Sequence, residues 1–149
     1  MSIFGIGNKP VISIPKSVYD DMLAHAKEAY PHECCGVVVG GCMKGKIVFE
    51  SHRAKNINLE RANDRYLIDS KELHLIDRMS RTQGMDILGF YHSHPDHPDR
   101  PSETDREWGQ VGYSYIIVSV KGGQEVSARS WIIEDEKAPF TEEKIKIKE

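Results

Sequence analysis

The apolar segments of this chain are short and rich in β-branched residues. Three of them fall at Glu33–Gly41, Ile87–His94 and Tyr113–Val120. Runs of this length are typical of buried strands, and none approaches the roughly 20 apolar residues that a membrane-spanning helix needs. They alternate with two segments of helical periodicity, at 16–30 and 71–82. The pattern therefore predicts a sheet with helices packed against it.

Weaker signals complete the order of elements. The further predicted elements are a strand at Pro10–Pro15, a hairpin strand at Lys46–Glu50, a solvated polar loop over 51–66, a short strand at Tyr66–Asp69, a helix starting near Ser102, a strand at Val126–Ile133 and a charged segment at 137–149 that pairs at a sheet edge or frays. Asn56, Arg65 and Tyr66 could instead flank a cleft, but a solvated loop is the favoured interpretation of 56–66. Neither a linker nor a repeat interrupts this order. We predict one α/β domain over residues 1–149, with a mixed sheet and helices packed on it.

Each of the two longer helices has a predicted inner face. The residues expected to face the sheet are Val18, Met22, Ala26 and Ala29 or Tyr30 on the first helix and Leu73, Ile76 and Met79 on the second. These positions follow the spacing of three and four residues that places side chains on one side of a helix. Ser70, just before the second helix, is its expected N-cap.

Charge and cysteine usage exclude several classes of protein. The net charge of −3 over 149 residues gives no electrostatic reason to expect binding to nucleic acid or to an anionic membrane. Cys34, Cys35 and Cys42 are odd in number and form no Cys-x-x-Cys pair, which predicts reduced thiols rather than disulfides or a zinc knuckle. The segment Met1–Lys9 lacks the basic region and apolar core of a secretory signal. We expect a cytoplasmic protein.

The pair His92 and His94 predicts a metal site. Residues two apart on a strand point to the same face, about 6–7 Å apart along the backbone, so two imidazoles can meet at one cation. A catalytic zinc ion usually has three protein ligands. Asp105 is the best placed third ligand, because a proline-stiffened loop can return it to the histidines. His97 competes for that role, but the prolines beside it favour a position in solvent. The remaining histidines are expected at the surface or in caps: His25, His32, His52 and His74.

Two acidic positions each allow two interpretations. Water activated by zinc needs a base to take its proton, and Glu33, between a helix-ending proline and an apolar strand, can project into a cleft. The alternative for Glu33 is a solvated acid in a loop. Ser102 and Asp105 have the spacing of a capping box, which most often serves only to begin a helix.

The segment from His92 to Asp105 reads His-Ser-His-Pro-Asp-His-Pro-Asp-Arg-Pro-Ser-Glu-Thr-Asp, and it resembles the signature of the JAMM (MPN-plus) metallopeptidases. Glu33, before Cys-Cys-Gly-Val-Val-Val-Gly, resembles the catalytic glutamate of that family. The resemblance implies one zinc ion per chain on His92, His94 and Asp105, with Glu33 as acid and base. It further implies that Ser102 stabilises the oxyanion or the water, and that the fold is a three-layer, cytidine-deaminase-like α/β/α sandwich with a mixed sheet.

The short length without insertions resembles the compact prokaryotic branch of this family. Members of that branch cleave what is joined to the C-terminal Gly-Gly of ubiquitin-like sulfur-carrier proteins. The resemblance therefore implies a zinc peptidase or isopeptidase whose partner is such a carrier or its conjugate, and it leaves a homodimer open. A zinc deaminase would need His-x-Glu and Pro-Cys-x-x-Cys, which this sequence lacks. The acidic balance gives no case for a DNA-repair relative, so a non-catalytic MPN-type scaffold is the main alternative.

Overall fold

The computed structural model describes residues 9–149, within which seven strands and three helices are assigned. The elements are β1 (Val11–Pro15), α1 (Lys16–Ala29), β2 (Cys35–Cys42), β3 (Lys46–Ala54), α2 (Ser70–Thr82), β4 (Asp86–Pro95), α3 (Glu103–Trp108), β5 (Ser114–Lys121), β6 (Glu125–Ile133) and β7 (Phe140–Lys148). Of the segment Met1–Lys9, in which no secretory signal is expected, all but Lys9 lies outside the described residues. None of the described helices is both long enough and apolar enough to cross a bilayer.

The sheet closes on itself through β1, in the order β1-β3-β2-β4-β5-β6-β7. β1 runs parallel to both β3 and β7, and β4 runs parallel to β5, while the other pairs are antiparallel. The predicted α/β class with a mixed sheet is therefore confirmed. The charged C-terminal segment pairs rather than frays, since β7 bonds to β6 and to β1. The three-layer cytidine-deaminase-like arrangement and the single domain over 1–149 stay predictions.

Helices cover both faces of the sheet. On β2, Val38 packs into a buried cluster with Met22 and Ala26 of α1, which confirms the predicted inner face of that helix. Val37 and Val39 point the other way and pack with residues of α2. This alternation explains why β2 reads as a continuous apolar run, because a strand covered on both faces has no solvated side.

The predicted details of α2 are wrong at two positions. Ser70 is the first residue of the helix, and Asp69 occupies the N-cap without a side-chain capping bond. Met79 is 50% exposed, whereas Ser80 is buried. Ser80 lies four residues after Ile76 and donates its hydroxyl hydrogen to the Ile76 carbonyl at 2.7 Å. This bond satisfies the hydroxyl, so a polar residue takes the inward position that spacing alone assigned to Met79.

The segment after β2 also differs from its prediction. β3 continues to Ala54, so the polar residues Ser51–Arg53 belong to a strand and not to a loop. Arg53 bridges to Asp21 and Glu28 of α1, which explains why a polar stretch is ordered here. The predicted strand at Tyr66–Asp69 is wrong, because this segment forms only an isolated bridge from Ile68 to Asn56.

Candidate metal centre

His92 and His94 lie near the end of β4, between β2 and β5. They occupy alternate strand positions and are both buried. Ser93, between them, points to the opposite face, where its hydroxyl oxygen accepts a hydrogen bond from the Cys34 N–H at 2.8 Å. Because side chains alternate along a strand, both imidazoles lie on the same face of β4. The intervening serine lies on the other face and links β4 to the residue that precedes β2.

Asp105 reaches the same place from α3. Ser102 is the N-cap of this helix, and the capping box is complete: the Asp105 N–H donates to the Ser102 hydroxyl at 3.0 Å, and the Ser102 N–H donates to Asp105 Oδ2 at 2.9 Å. The capping-box interpretation is thus confirmed. It does not exclude a role at the metal site, because the cap fixes the Asp105 carboxylate while leaving it in contact with both histidines.

The three candidate ligand side chains converge on one point. Asp105 Oδ1 lies 3.1 Å from His92 Nε2, Asp105 Oδ2 lies 3.0 Å from His94 Nε2, and the two Nε2 atoms are 3.2 Å apart. A tetrahedral zinc ion with bonds of about 2.0–2.1 Å keeps its ligand atoms about 3.3 Å apart. Two imidazole nitrogens and one carboxylate also match the donor set of catalytic zinc. The residues present therefore fit a zinc ion.

Hydrogen bonding prepares His94 to be a ligand. Its Nδ1 lies 2.8 Å from the carbonyl oxygen of Pro98, which can only accept, so Nδ1 must carry the proton. In the neutral ring Nε2 then has a free lone pair, and this is the atom that faces Asp105. The Pro98 carbonyl belongs to the loop that follows His94, and that loop is tied down by Trp131, whose Nε1–H donates to the Asp99 carbonyl at 3.0 Å.

The electrostatics of the three residues are coupled. Burial lowers the pKa of His92 and outweighs the opposing effect of Asp105. Burial also acts to lower the pKa of His94, but the hydrogen bond and charge of Asp105 and the bond to the Pro98 carbonyl outweigh it, so this pKa is raised. Burial acts against ionised Asp105, yet its contacts with both histidines hold its pKa below the usual range. Asp105 therefore stays anionic at neutral pH, as a metal ligand must.

Glu33 is a buried acid beside this cluster. Cys35 pairs with His92 across β2 and β4, so continuing the antiparallel register places Glu33 opposite His94 and on the same face. Glu33 is 7% exposed, which is inconsistent with a solvated acid in a loop. Burial raises its pKa to about 8, while the charge of His94 acts in the opposite direction. A cation bound next to it would favour the ionised, proton-accepting form.

The other histidines lie away from the cluster. His97 is exposed, as predicted, and so is His32. The prediction for His25 is wrong: it is half-buried, and its Nδ1 lies 2.7 Å from the hydroxyl of Tyr91. α1 turns this ring toward the sheet, and a lone histidine in the sequence gives no sign of such a contact.

Two residues for which the sequence favoured a solvated loop over a position beside the cleft contact the site. Tyr66 is stacked on His92, with ring centroids 4.5 Å apart and an interplanar angle of 21°. The side-chain amide of Asn56 donates to the carbonyl oxygen of Glu33 at 3.0 Å. Both belong to the segment predicted as a solvated loop. Their polar, non-periodic surroundings carry no signal that the fold brings them to His92 and Glu33.

The fold and the His-His-Asp cluster together define a JAB-type domain, and comparison with known families agrees. The family model of prokaryotic homologs of the JAB domain matches residues 15–134. The chain belongs to this family of JAMM-type proteins, as the motif predicted.

Two relatives are similar along most of their length. A desampylase from Haloferax volcanii is 34% identical over 125 residues, which cover 80% of this chain and 87% of the relative. The CysO-cysteine peptidase of Mycobacterium tuberculosis is 30% identical over 144 residues, covering 96% of this chain and 95% of the relative. Both relatives are named as enzymes.

Solved structures show the same fold. A protein from Desulfitobacterium hafniense superposes with a TM-score of 0.81 at 30% identity, covering 93% of each chain. A protein from Salinibacter ruber gives a TM-score of 0.71 at 34% identity and covers 93% of this chain and 92% of that one. A JAB1/MPN domain protein from Archaeoglobus fulgidus, at 21% identity and a TM-score of 0.56, covers 91% of this chain and 97% of that chain and supports the fold alone.

Proposed function

We propose that this protein is a zinc-dependent peptidase or isopeptidase that hydrolyses the bond after the C-terminal Gly-Gly of a ubiquitin-like sulfur-carrier protein. His92, His94 and Asp105 are the proposed ligands of one zinc ion per chain. Glu33 is the proposed general base and Ser102 the proposed oxyanion donor. The partner is the carrier protein or its C-terminal conjugate.

The observation that carries this proposal is the convergence of two imidazoles and a carboxylate at 3.0–3.2 Å beside the buried Glu33. A scaffold that binds no metal has no need to collect these four groups, and burying them without a cation costs stability. The substrate class rests on the relatives, a desampylase and a CysO-cysteine peptidase, which are similar to this chain over at least four fifths of its length.

The residues divide the chemistry among them. Zinc bound by this cluster would supply a Lewis acid that lowers the pKa of water to about 7 and polarises a carbonyl. Glu33 takes the proton of the attacking water and passes it to the leaving amine. The Ser102 hydroxyl oxygen is occupied as an acceptor by the Asp105 N–H, so its hydrogen remains available to donate to an oxyanion. Ser102 is exposed and therefore accessible to a substrate.

The test is cleavage of a carrier protein extended past Gly-Gly by one cysteine or by a fused protein. We expect intact-mass analysis to show loss of everything after the second glycine. Chelation should stop the reaction and added zinc should restore it. A carrier whose tail ends in Ala-Ala in place of Gly-Gly is the matched control, and it should remain uncut if the tail itself is recognised.

Three outcomes would contradict the proposal in different ways. Absence of stoichiometric zinc in the wild-type protein would favour the non-catalytic scaffold. Zinc at one per chain, with no cleavage across a panel of carriers, would reject the substrate class. Cleavage that persists after complete removal of metal would reject the zinc mechanism.

Replacing Ser102 with alanine separates its two roles. Loss of the oxyanion donor is expected to lower kcat by about 10²–10³-fold with zinc retained. Loss of the N-cap is expected to cost about 1 kcal/mol of folding stability. In Ser102→Asp the carboxylate oxygen can still cap α3 but has no hydrogen to donate, so stability should recover while kcat stays low. If aspartate restores kcat as well, Ser102 acts only as a cap.

A further inference from the structure

We infer that Tyr66 is a positioning residue that holds His92 in its ligand orientation, and that Asn56 fixes Tyr66 and Glu33 relative to each other. This inference rests on the proposed zinc site. Residues 55–69 thus support His92 and Glu33, whereas the loop after β4 supports His94 through the Pro98 carbonyl.

The two histidines are supported by different means. His94 is held by a hydrogen bond from Nδ1 to the Pro98 carbonyl. Nδ1 of His92 is buried and has no hydrogen-bond partner within residues 9–149. Metal-binding histidines usually donate their second nitrogen to a partner that fixes the ring. His92 lacks this restraint at Nδ1, and the ring of Tyr66, stacked on the imidazole, opposes its rotation out of the plane in which Nε2 faces Asp105.

Asn56 holds the backbone on both sides of Tyr66. Its side-chain amide donates to the Arg65 carbonyl at 2.9 Å, and its side-chain oxygen accepts from the Leu67 N–H at 3.1 Å. Tyr66 is the residue between them, so one side chain fixes the position from which the tyrosine ring projects.

The Asn56 side-chain amide also bonds to the backbone of Glu33, the proposed base. The Asn56 amide nitrogen also donates to the Glu33 carbonyl at 3.0 Å, and the Glu33 N–H donates to the Ala62 carbonyl at 2.5 Å. Residues 55–69 contain neither a strand nor a helix. Hydrogen bonds from side chains such as Asn56 therefore take the place of regular backbone bonding in ordering this segment. Asn56 therefore links the segment that supports His92 to the backbone of Glu33.

Three substitutions of Tyr66 test the stacking, with zinc affinity measured by chelator competition. Tyr66→Ala is expected to weaken zinc binding by about 10–100-fold, the usual effect of losing a group that orients a ligand. Tyr66→Phe keeps the ring and should bind zinc like the wild type. Tyr66→Leu fills much of the space without a ring, so it should resemble alanine. In the metal-free protein, the His92 ring protons should shift in proton NMR when the tyrosine ring is lost and stay in place with phenylalanine.

Asn56→Asp tests the link with little change of shape. The carboxylate can still accept from Leu67, but it faces the carbonyls of Arg65 and Glu33 with no hydrogen to donate. We expect weaker zinc binding by about 10-fold, together with a fall in kcat measured at saturating zinc. Asn63→Asp in the same segment is the matched control, because Asn63 is exposed and should change neither value.

The outcomes separate this inference from the proposed function. Wild-type zinc affinity in both Tyr66→Ala and Tyr66→Leu would overturn the role of Tyr66 while leaving the metal site intact. If Tyr66→Phe weakens zinc binding as much as Tyr66→Ala does, the role of Tyr66 is also overturned, because stacking of the aromatic ring would not explain the effect. If Tyr66→Ala does not fold, the leucine and phenylalanine variants decide. A wild-type protein that binds zinc but cleaves no carrier, with the expected Tyr66 series, would reject the proposed function alone.

Discussion

Replacing Glu33 with glutamine is expected to lower kcat by about 10³–10⁴-fold while one zinc per chain remains bound. Glutamine has nearly the same shape as glutamate but cannot take a proton from water at neutral pH. The zinc ligands are unaffected, because Glu33 lies opposite His94 as a neighbour and is absent from the cluster of three ligand side chains. Steady-state kinetics on the extended carrier and zinc analysis of the same preparation would measure both effects.

The stability of the metal-free protein gives an independent check on this residue. Burial raises the pKa of Glu33 from 4.5 to about 8, so the folded state disfavours the ionised carboxylate. The stabilising contribution of the protonated acid is complete at low pH and declines as the pH rises from about 4.5 toward about 8. At pH 8 the metal-free Glu33→Gln variant should therefore melt at a higher temperature than the metal-free wild type.

The controls for Glu33 follow from the same reasoning. Glu125→Gln, at an exposed position at the start of β6, should change neither kcat nor melting temperature. Loss of zinc from Glu33→Gln, to the extent seen when a histidine ligand is removed, would mean that Glu33 is a ligand. Retention of wild-type kcat would mean that another group is the base.

The candidate ligands could be predicted because their arrangement is local. His92, His94 and Asp105 are joined by one strand end, one loop and one helical turn, and strand alternation and capping rules describe each of these. The position of Glu33 could not be predicted from local rules, because it depends on the register between β2 and β4. The sequence pattern indicated an acid at the start of a strand, but burial and proximity to His94 follow only from strand pairing.

The parts that were not predicted depend on long-range contacts. Parallel pairing of β1 with β3 and β7 joins distant parts of the chain, and no pattern in five residues of β1 specifies it. Tyr66 and Asn56 lie between Lys55 and Asp69, where the chain is irregular apart from the bridge between Asn56 and Ile68. Composition does not indicate where such a segment packs, so the sequence could not decide between a solvated loop and a position beside the cleft, and it specified no contact with His92 or Glu33.

Removing the Asp105 carboxylate is expected to have the largest effect on metal binding. Partners that merely orient a ligand change zinc affinity by about 10–100-fold, so loss of a ligand should weaken it by more than about 100-fold. Asp105→Ala should therefore be purified with far less than one zinc per chain and show no measurable peptidase activity. Zinc analysis after dialysis and chelator competition would measure the loss.

Two further variants separate metal binding from helix capping. Asp105→Asn keeps an oxygen that can accept the Ser102 N–H, so α3 should remain capped while the neutral amide binds zinc poorly. Glu103→Ala removes the other acid of the first turn and should leave zinc binding unchanged. A full complement of zinc in both Asp105 variants would show that the ion is held without this carboxylate. Because His92 and His94 are buried against this carboxylate, its loss should also destabilise the metal-free protein, and more in Asp105→Ala than in Glu103→Ala.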